Sequence, residues 1–206
     1  MATLARFLLG CFLVGLVPSV AWSELTVGTI APTFSTKAAQ GGTELTLSLS
    51  EALKKGPVVV YFYPKSFTSV CTEEAHLFAE AMSGFETLGS SVIGISTDSI
   101  DTQREFSRMA CRDKFPVAAD PEGNVVKAYD ALVRKPGGGI IAIRTSYVIT
   151  SHGKIASVLA YNLTRVMNIM GIKPLVRDQS LRPPHILMQP SGHSDPASAL
   201  SHGQDP

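Results

Sequence analysis

PVVVYFYPKSFTSVCTEEAHLFAEAMSGF, residues 57–85, reads as a buried strand, a turn and a helix that opens on a cysteine. Residues 58–63 are apolar without interruption, rich in β-branched and aromatic side chains, and bounded by Gly56-Pro57 and Pro64. That is the composition of a central strand covered on both faces. Pro64 ends it, since proline has no N–H to offer a sheet ladder. Beyond the Lys65-Ser66-Phe67 turn, Thr68 and Ser69 are candidate N-caps, and Cys71, Ala75, Phe78, Met82 and Phe85 recur at helical spacing on one face.

Cys71 therefore falls in the first turn of a helix, where unpaired backbone N–H groups and the positive end of the dipole favour an anion. The thiolate is the nucleophilic form of cysteine. Position alone leaves a second reading open, because free cysteine is often a small buried hydrophobe. What separates the two is the company it keeps: Pro64, Thr68 and Cys71 form PxxxTxxC directly after a buried strand. This resembles the active-site motif of the peroxiredoxins, the thiol peroxidases of the alkyl hydroperoxide reductase and thiol-specific antioxidant superfamily. The similarity takes in the strand, Pro64, Thr68, Cys71 and Glu74, and extends over residues 25–162. Gly28, Ala31, Pro32 and Phe34 (GxxAPxF) and the FPVAADP sequence at 115–121 resemble the family as well.

The resemblance implies an α/β thioredoxin-like fold, with a central mixed sheet and helices on both faces. It also implies a peroxidase that reduces hydrogen peroxide and organic hydroperoxides through a cysteine sulfenic acid, in antioxidant defence. No metal or prosthetic group is required, and a thioredoxin-like protein or a small thiol returns the enzyme to its reduced state. Arg144 opens RTSYVIT, which looks like the family's arginine-bearing strand. A guanidinium stays charged, and its planar donors stabilise both a thiolate and the charge developing on peroxide oxygens. Thr68 has two compatible roles, a helix cap or a hydroxyl facing peroxide and sulfur. Pro64 would shape and dry one wall of the pocket. Glu74 is either a partner that orients Arg144 or an exposed helical glutamate.

The nearest group within the superfamily is the bacterioferritin comigratory, or Q-type, one, and His76 marks a departure from it. Many members carry a resolving cysteine five residues after the peroxidatic one, where this chain has histidine. Some resolve through a cysteine on the following helix, which implies a Cys71–Cys111 disulfide reached by unwinding the first turn of the Cys71 helix. The alternative is that Cys111 packs as a small buried residue and an external thiol resolves the sulfenic acid.

With 206 residues, 45% of them apolar and 17% charged, the chain has material for one core of ordinary size. A formal net charge of +1, with no basic cluster, gives no electrostatic case for nucleic acid. Residues 1–23 read as a signal peptide, with Arg6, an apolar segment at 7–17 and small residues at Ser19, Ala21 and Ser23. The expectation is export to the periplasm or another extracytoplasmic space, with no membrane attachment once the segment is removed. Leu8-Leu9-Gly10-Cys11 resembles a lipoprotein box, but the apolar run continues past Cys11, which favours plain signal filler. Residues 24–178 form the expected domain, as a monomer or homodimer, and 179–206 a Pro/Ser/Gly-rich tail without apolar periodicity, expected to be disordered. His185, His193 and His202 in that tail are too widely spaced to suggest a metal site.

Between the ends, residues 24–34 read as an extended lead-in to an early hairpin, 43–49 as a strand, and Ser50 as the cap of a helical turn at 51–55. Residues 91–96 read as a strand, and 99–112 as a helix presenting Ile100, Phe106, Met109 and Ala110 to the core. A short apolar segment at 114–119, a turn at 120–123 and a helix at 124–131 follow. Gly137-Gly138-Gly139 reads as a flexible loop, 144–150 and 155–161 as a hairpin, and 162–170 as a final helix. Two other functions share these elements. A thioredoxin-type disulfide oxidoreductase would carry C-x-x-C, but Thr68 stands in its first position. A metal-binding module would pair Cys71 with a histidine, but His76 lies well round the helix.

Overall fold

A computed structural model describes residues 25–160. The signal segment, the expected helix at 162–170 and the tail lie outside the described residues. The elements run in the order β1 Ser35–Gln40, β2 Thr43–Ser48, α1 Leu49–Leu53, β3 Val58–Phe62, α2 Ser69–Thr87, β4 Ser91–Ser96 and α3 Ile100–Met109. They continue with β5 Val117–Ala119, α4 Asn124–Ala128, β6 Leu132–Arg134, β7 Ile140–Ala142, β8 Thr145–Ile149 and β9 Ile155–Ala160.

Seven strands form one mixed sheet in the order β2-β1-β5-β4-β3-β8-β9. β3 pairs with β4 and β4 with β5 in parallel, while β8 runs antiparallel beside β3 with Phe62 opposite Thr145. Every residue of β3 is buried. Because side chains alternate across a strand, Val59, Tyr61 and Tyr63 face a core built with α2 and α3 (Phe78, Phe85, Phe106), while Val58, Val60 and Phe62 face a second core with α1 and α4. Burying each large side chain contributes about 1.5–3 kcal/mol, so this one strand feeds both cores with much of their apolar area. The result is the expected central mixed sheet with helices on both faces.

Several local expectations are corrected. The first strand of the early hairpin is Ser35–Gln40, directly after the 24–34 lead-in, and it pairs in register with β2 from Ser35↔Ser48 to Gln40↔Thr43. α1 begins earlier than expected, and its cap is Ser48, whose hydroxyl accepts from the Glu51 N–H, in place of Ser50. On α3, Met109 is 63% exposed, and the core face is instead Gln103, Phe106 and Ser107, followed by Ala110. The spacing 103, 106, 107, 110 is the helical one, and hydrophobicity alone misassigned Met109 because two polar residues occupy that face. The glycine loop at 137–139 joins a short hairpin, β6 with β7, whose Arg134 pairs with Ile140.

Gly94 of β4 is where backbone and ring come closest. A Cβ there would lie 2.8 Å from the Cζ and hydroxyl of Tyr61, a fully buried ring stacked on Phe78 at 4.4 Å. The Tyr61 hydroxyl itself has no hydrogen-bond partner among the described residues. Gly94→Ala is expected to cost about 1–3 kcal/mol through overpacking. Tyr61→Phe, which deletes an unpaired buried hydroxyl, is expected to leave stability unchanged or raise it. Urea denaturation of the two variants tests both signs.

Candidate active site

β3 ends at Phe62, and the chain turns through Pro64 to Phe67 before Thr68 caps α2. Phe67 adopts φ 63, an uncommon conformation for an aromatic residue, and its ring meets Phe106 edge-on at 5.3 Å. The turn thereby aims the first turn of α2 back across the end of the sheet. Cys71, third in the helix, is 2% exposed. The stripe expected from sequence, Cys71, Ala75, Phe78, Met82 and Phe85, is buried throughout.

Arg144 reaches the same place from the other side of β3. It immediately precedes β8, and the Phe62↔Thr145 pairing puts it beside the end of β3, where the chain leaves for Cys71. The Ile143 N–H donates to the Ala131 carbonyl at 2.7 Å, so the backbone is pinned on both sides of the arginine. From there Arg144 Nη2 donates to Cys71 Sγ at 3.0 Å, and Nη1 pairs with Glu74 Oε2. The side chains of Arg144 and Glu74 are 9% and 10% exposed. Glu74 is thus the orienting partner, not a solvated helical glutamate.

The remaining expected residues divide. Pro64 is half-buried in the turn. Thr68 occupies the N-cap position, but its hydroxyl makes no capping bond and donates to the Lys65 carbonyl at 3.1 Å. That bond closes the turn. Cys111 lies just past α3 and is fully buried, in the same apolar cluster as Cys71. Both thiols are free. Burial pushes the Cys111 thiol well up, with Asp113 adding to the effect.

Sequence reasoning missed a polar network beneath the turn. Tyr63 donates to Gln103 Oε1 at 2.7 Å, Gln103 Nε2 donates to Ser96 Oγ at 2.7 Å, and Asp98 Oδ2 accepts from Ser96 Oγ at 2.9 Å and from the Ser66 N–H at 2.7 Å. The available signal was a glutamine and a serine at core-facing helical positions 103 and 107. Among the described residues, no three His, Cys, Asp or Glu side chains converge as a metal site.

A buried sulfur that accepts from a guanidinium, itself aligned by a carboxylate, is equipped to attack an electrophile and to stabilise negative charge on the departing atom. Comparison with known proteins agrees with that chemistry. The AhpC/TSA family matches residues 27–158. YkuU of Bacillus subtilis, which carries a peroxiredoxin name, is 32% identical over 141 residues, 65% of this chain and 77% of its own. The chloroplastic 2-Cys peroxiredoxin BAS1 of Hordeum vulgare is 28% identical over 144 residues, 66% of this chain and 67% of that one. Among solved structures, peroxidoxin BcpB from Mycobacterium tuberculosis superposes with a TM-score of 0.63 at 27% identity, covering 72% of this chain and 94% of that one.

The buried carboxylate carries a pH signature. Burial lifts the Glu74 carboxyl from 4.5 to about 7, against the opposing charge and hydrogen bond of Arg144. Between those values the folded chain holds a proton that an unfolded chain has released. The resulting stability is complete below pH 4.5 and is lost as pH rises through about 7. Glu74→Gln is neutral at every pH, so the stability of the wild type relative to this variant is expected to fall between about pH 5 and about pH 8. Thermal melts of both proteins across that range test this, and a difference that is flat or rises contradicts it.

Proposed function

Since the chain belongs to the AhpC/TSA family, the peroxiredoxins, and is a thiol-dependent peroxidase, we propose that Cys71 is the attacking thiolate, Arg144 its electrostatic partner, and Cys111 the thiol that resolves the oxidised enzyme. The observation that carries this is the 3.0 Å contact from Arg144 Nη2 to Cys71 Sγ, with Glu74 behind the guanidinium. The Cys71 sulfur attacks one peroxide oxygen, the O–O bond breaks, and Cys71 becomes sulfenic acid while the second oxygen leaves and takes up a proton as water or an alcohol. Arg144 already faces the sulfur and meets the negative charge as it spreads over the peroxide oxygens. Pro64 and Thr68 form the wall of the entry, with the Thr68 hydroxyl oxygen still able to accept from an incoming hydroperoxide.

Resolution follows from the second free thiol. Cys111 attacks the Cys71 sulfur, the sulfenic oxygen leaves as water with the Cys111 proton, and a disulfide remains for an external thiol to reduce. The two Cα atoms must come within about 7 Å for that bond to form. A thioredoxin-type disulfide oxidoreductase is the weaker reading, since Thr68 stands where the first cysteine of its C-x-x-C would be.

Cys71→Ser is expected to abolish peroxide consumption with the fold intact, and Arg144→Ala to slow the reaction with peroxide by a factor of about 100 or more. Peptide mapping of wild-type protein after one equivalent of peroxide is expected to find Cys71 joined to Cys111. Near-normal turnover by Cys71→Ser, an unchanged rate constant for Arg144→Ala, or Cys111 still free after oxidation would each remove the corresponding assignment.

The same reading extends to location. Residues 1–23 support export to the periplasm or another extracytoplasmic space, where a thioredoxin-like protein or a small thiol would serve as reductant. N-terminal sequencing of the protein recovered from its native cell is expected to begin near residue 22 or 24. An intact Met1 on protein in the cytosol contradicts this.

A further inference from the structure

Arg144 stands where the chain changes sheets. β7 ends at Ala142, opposite Leu132 of β6 in the two-stranded sheet, and β8 begins at Thr145, between Phe62 of β3 and Ala160 of β9 in the seven-stranded one. Ile143 and Arg144 belong to neither strand. The direction of a residue at such a crossing depends on how the two sheets are fixed to each other. Arg144 must point to the α2 side to meet Cys71, while Tyr147 and Ile149 of β8 face the opposite core, which holds α4.

One short segment, residues 129–131, grips the crossing from that opposite side. The Ile143 N–H donates to the Ala131 carbonyl at 2.7 Å, and the Tyr147 hydroxyl donates to the Tyr129 carbonyl at 2.6 Å. Positions 143 and 147, on either side of Arg144, are thus held by a single piece of backbone. That piece is itself rigid, because it closes α4. The Tyr129 N–H donates to the Val125 carbonyl at 3.1 Å, the Ala131 N–H to the Val126 carbonyl at 2.9 Å, and Asp130 between them is left-handed with φ 52. At the other end of α4, Asp120 accepts from the Asn124 N–H at 3.0 Å and the Val126 N–H at 2.8 Å. Tyr129 is locked by its own hydroxyl on the Pro32 carbonyl at 2.8 Å and by its ring against Phe62 at 5.2 Å. Tyr129, Ala131 and Tyr147 are all buried, so water cannot replace a bond that is lost.

We propose that Tyr147 is a positioning residue for the reaction with peroxide: its hydroxyl, held on the Tyr129 carbonyl, fixes the crossing between the two sheets and with it the aim of Arg144 at Cys71. The inference rests on the reading of Cys71 as the attacking sulfur and Arg144 as its partner, and is independent of how the oxidised sulfur is resolved.

Of the two bonds that grip the crossing, the one from Ile143 is made by backbone and is open to any residue but proline. The one from Tyr147 needs this side chain. A phenylalanine would fill the same space and keep the ring contacts with Phe62 at 6.0 Å and Tyr129 at 5.1 Å. What the hydroxyl adds is a fixed distance between β8 and residues 129–131. Without it, β8 keeps its ladders with β3 and β9, and Ile143 keeps Ala131, but the small sheet and the large one swing about residues 143 and 144. Arg144 swings with them. A displacement of about 1 Å arising away from the chemistry costs up to about 100-fold in rate.

The test uses the reduced full-length chain and measures the rate constant for loss of the Cys71 thiol to hydrogen peroxide, together with the melting temperature. Tyr147→Phe is expected to slow the reaction about tenfold, a fraction of the loss from Arg144→Ala. In the Arg144→Ala background, Tyr147→Phe is expected to slow it no further, since the effect passes through the guanidinium. Ile149→Val, a truncation on the same face of β8, is expected to lower the melting temperature and leave the rate constant unchanged. Nitrogen NMR supplies a signature that a merely structural role would not move. Arg144 Nη1 and Nη2 give separate resonances while Glu74 holds one and Cys71 the other, and these are expected to broaden by exchange in Tyr147→Phe but not in Ile149→Val. If Arg144→Ala slows the reaction while Tyr147→Phe runs at the wild-type rate, or slows it equally in both backgrounds, the positioning role is overturned and the site reading stands. If Arg144→Ala itself leaves the rate constant unchanged, the reading of Arg144 fails and the role of Tyr147 with it.

Discussion

The constraint on which the rest depends is the burial of β3 on both faces, in the middle of the sheet. Its residues alternate into two cores, so its register cannot slip without turning Tyr61 and Phe62 to the wrong sides. With β3 fixed, the parallel neighbours β4 and β5 end at the same edge of the sheet, and the antiparallel β8 begins there. That edge receives the turn to Cys71, Ser96 and Asp98 from the end of β4, Ala118 and Ala119 of β5, and Arg144 ahead of β8. Open α/β sheets place their chemistry outside the carboxyl ends of parallel strands. Here one antiparallel strand adds the cation that the parallel ones do not supply.

The Glu74–Arg144 pair is poor evidence for stability, because desolvating two charges offsets most of what their attraction returns. Its value lies in direction. A guanidinium presents its donors in a fixed fork, so anchoring Nη1 on Glu74 leaves Nη2 aimed at Cys71 Sγ.

Most of the sheet and the place of Cys71 were legible because apolar patterning and PxxxTxxC both report strong local constraints. The 58–63 run, the stripe on α2 and the 91–96 strand stood out since burial leaves little choice of residue there. Arg144 became visible through resemblance; by composition alone it is an arginine at a strand start. What escaped was polar and buried. Gln103 and Ser107 look like surface residues of an amphipathic helix, and only the tertiary positions of Tyr63 and Ser96 make a glutamine suitable for the core. Met109 was misplaced for the same reason, since two polar neighbours had taken the inner face. The Ser48 cap and the β6–β7 hairpin depend on a few hydrogen bonds between residues of weak individual preference.

Backbone conformation adds the last step. Among the described residues, the non-glycine positions with positive φ are Phe67, Arg112, Asp113 and Asp130. Three of these four stand in the turns next to Cys71 and Cys111. Aspartate tolerates this region, but phenylalanine and arginine do not favour it, and such residues cost about 1–3 kcal/mol each unless their surroundings hold them. The surroundings do so here. Phe67 is held by Phe106, Arg112 by Glu80 at 3.2 Å, and the Asp113 N–H by the Ser107 carbonyl at 3.0 Å. When either turn opens, lost contacts are partly offset by relief of that strain, so opening at these two places costs less than it would in a relaxed loop. Two buried thiols thereby lie beside turns whose opening is eased while β3 and its neighbours stay fixed.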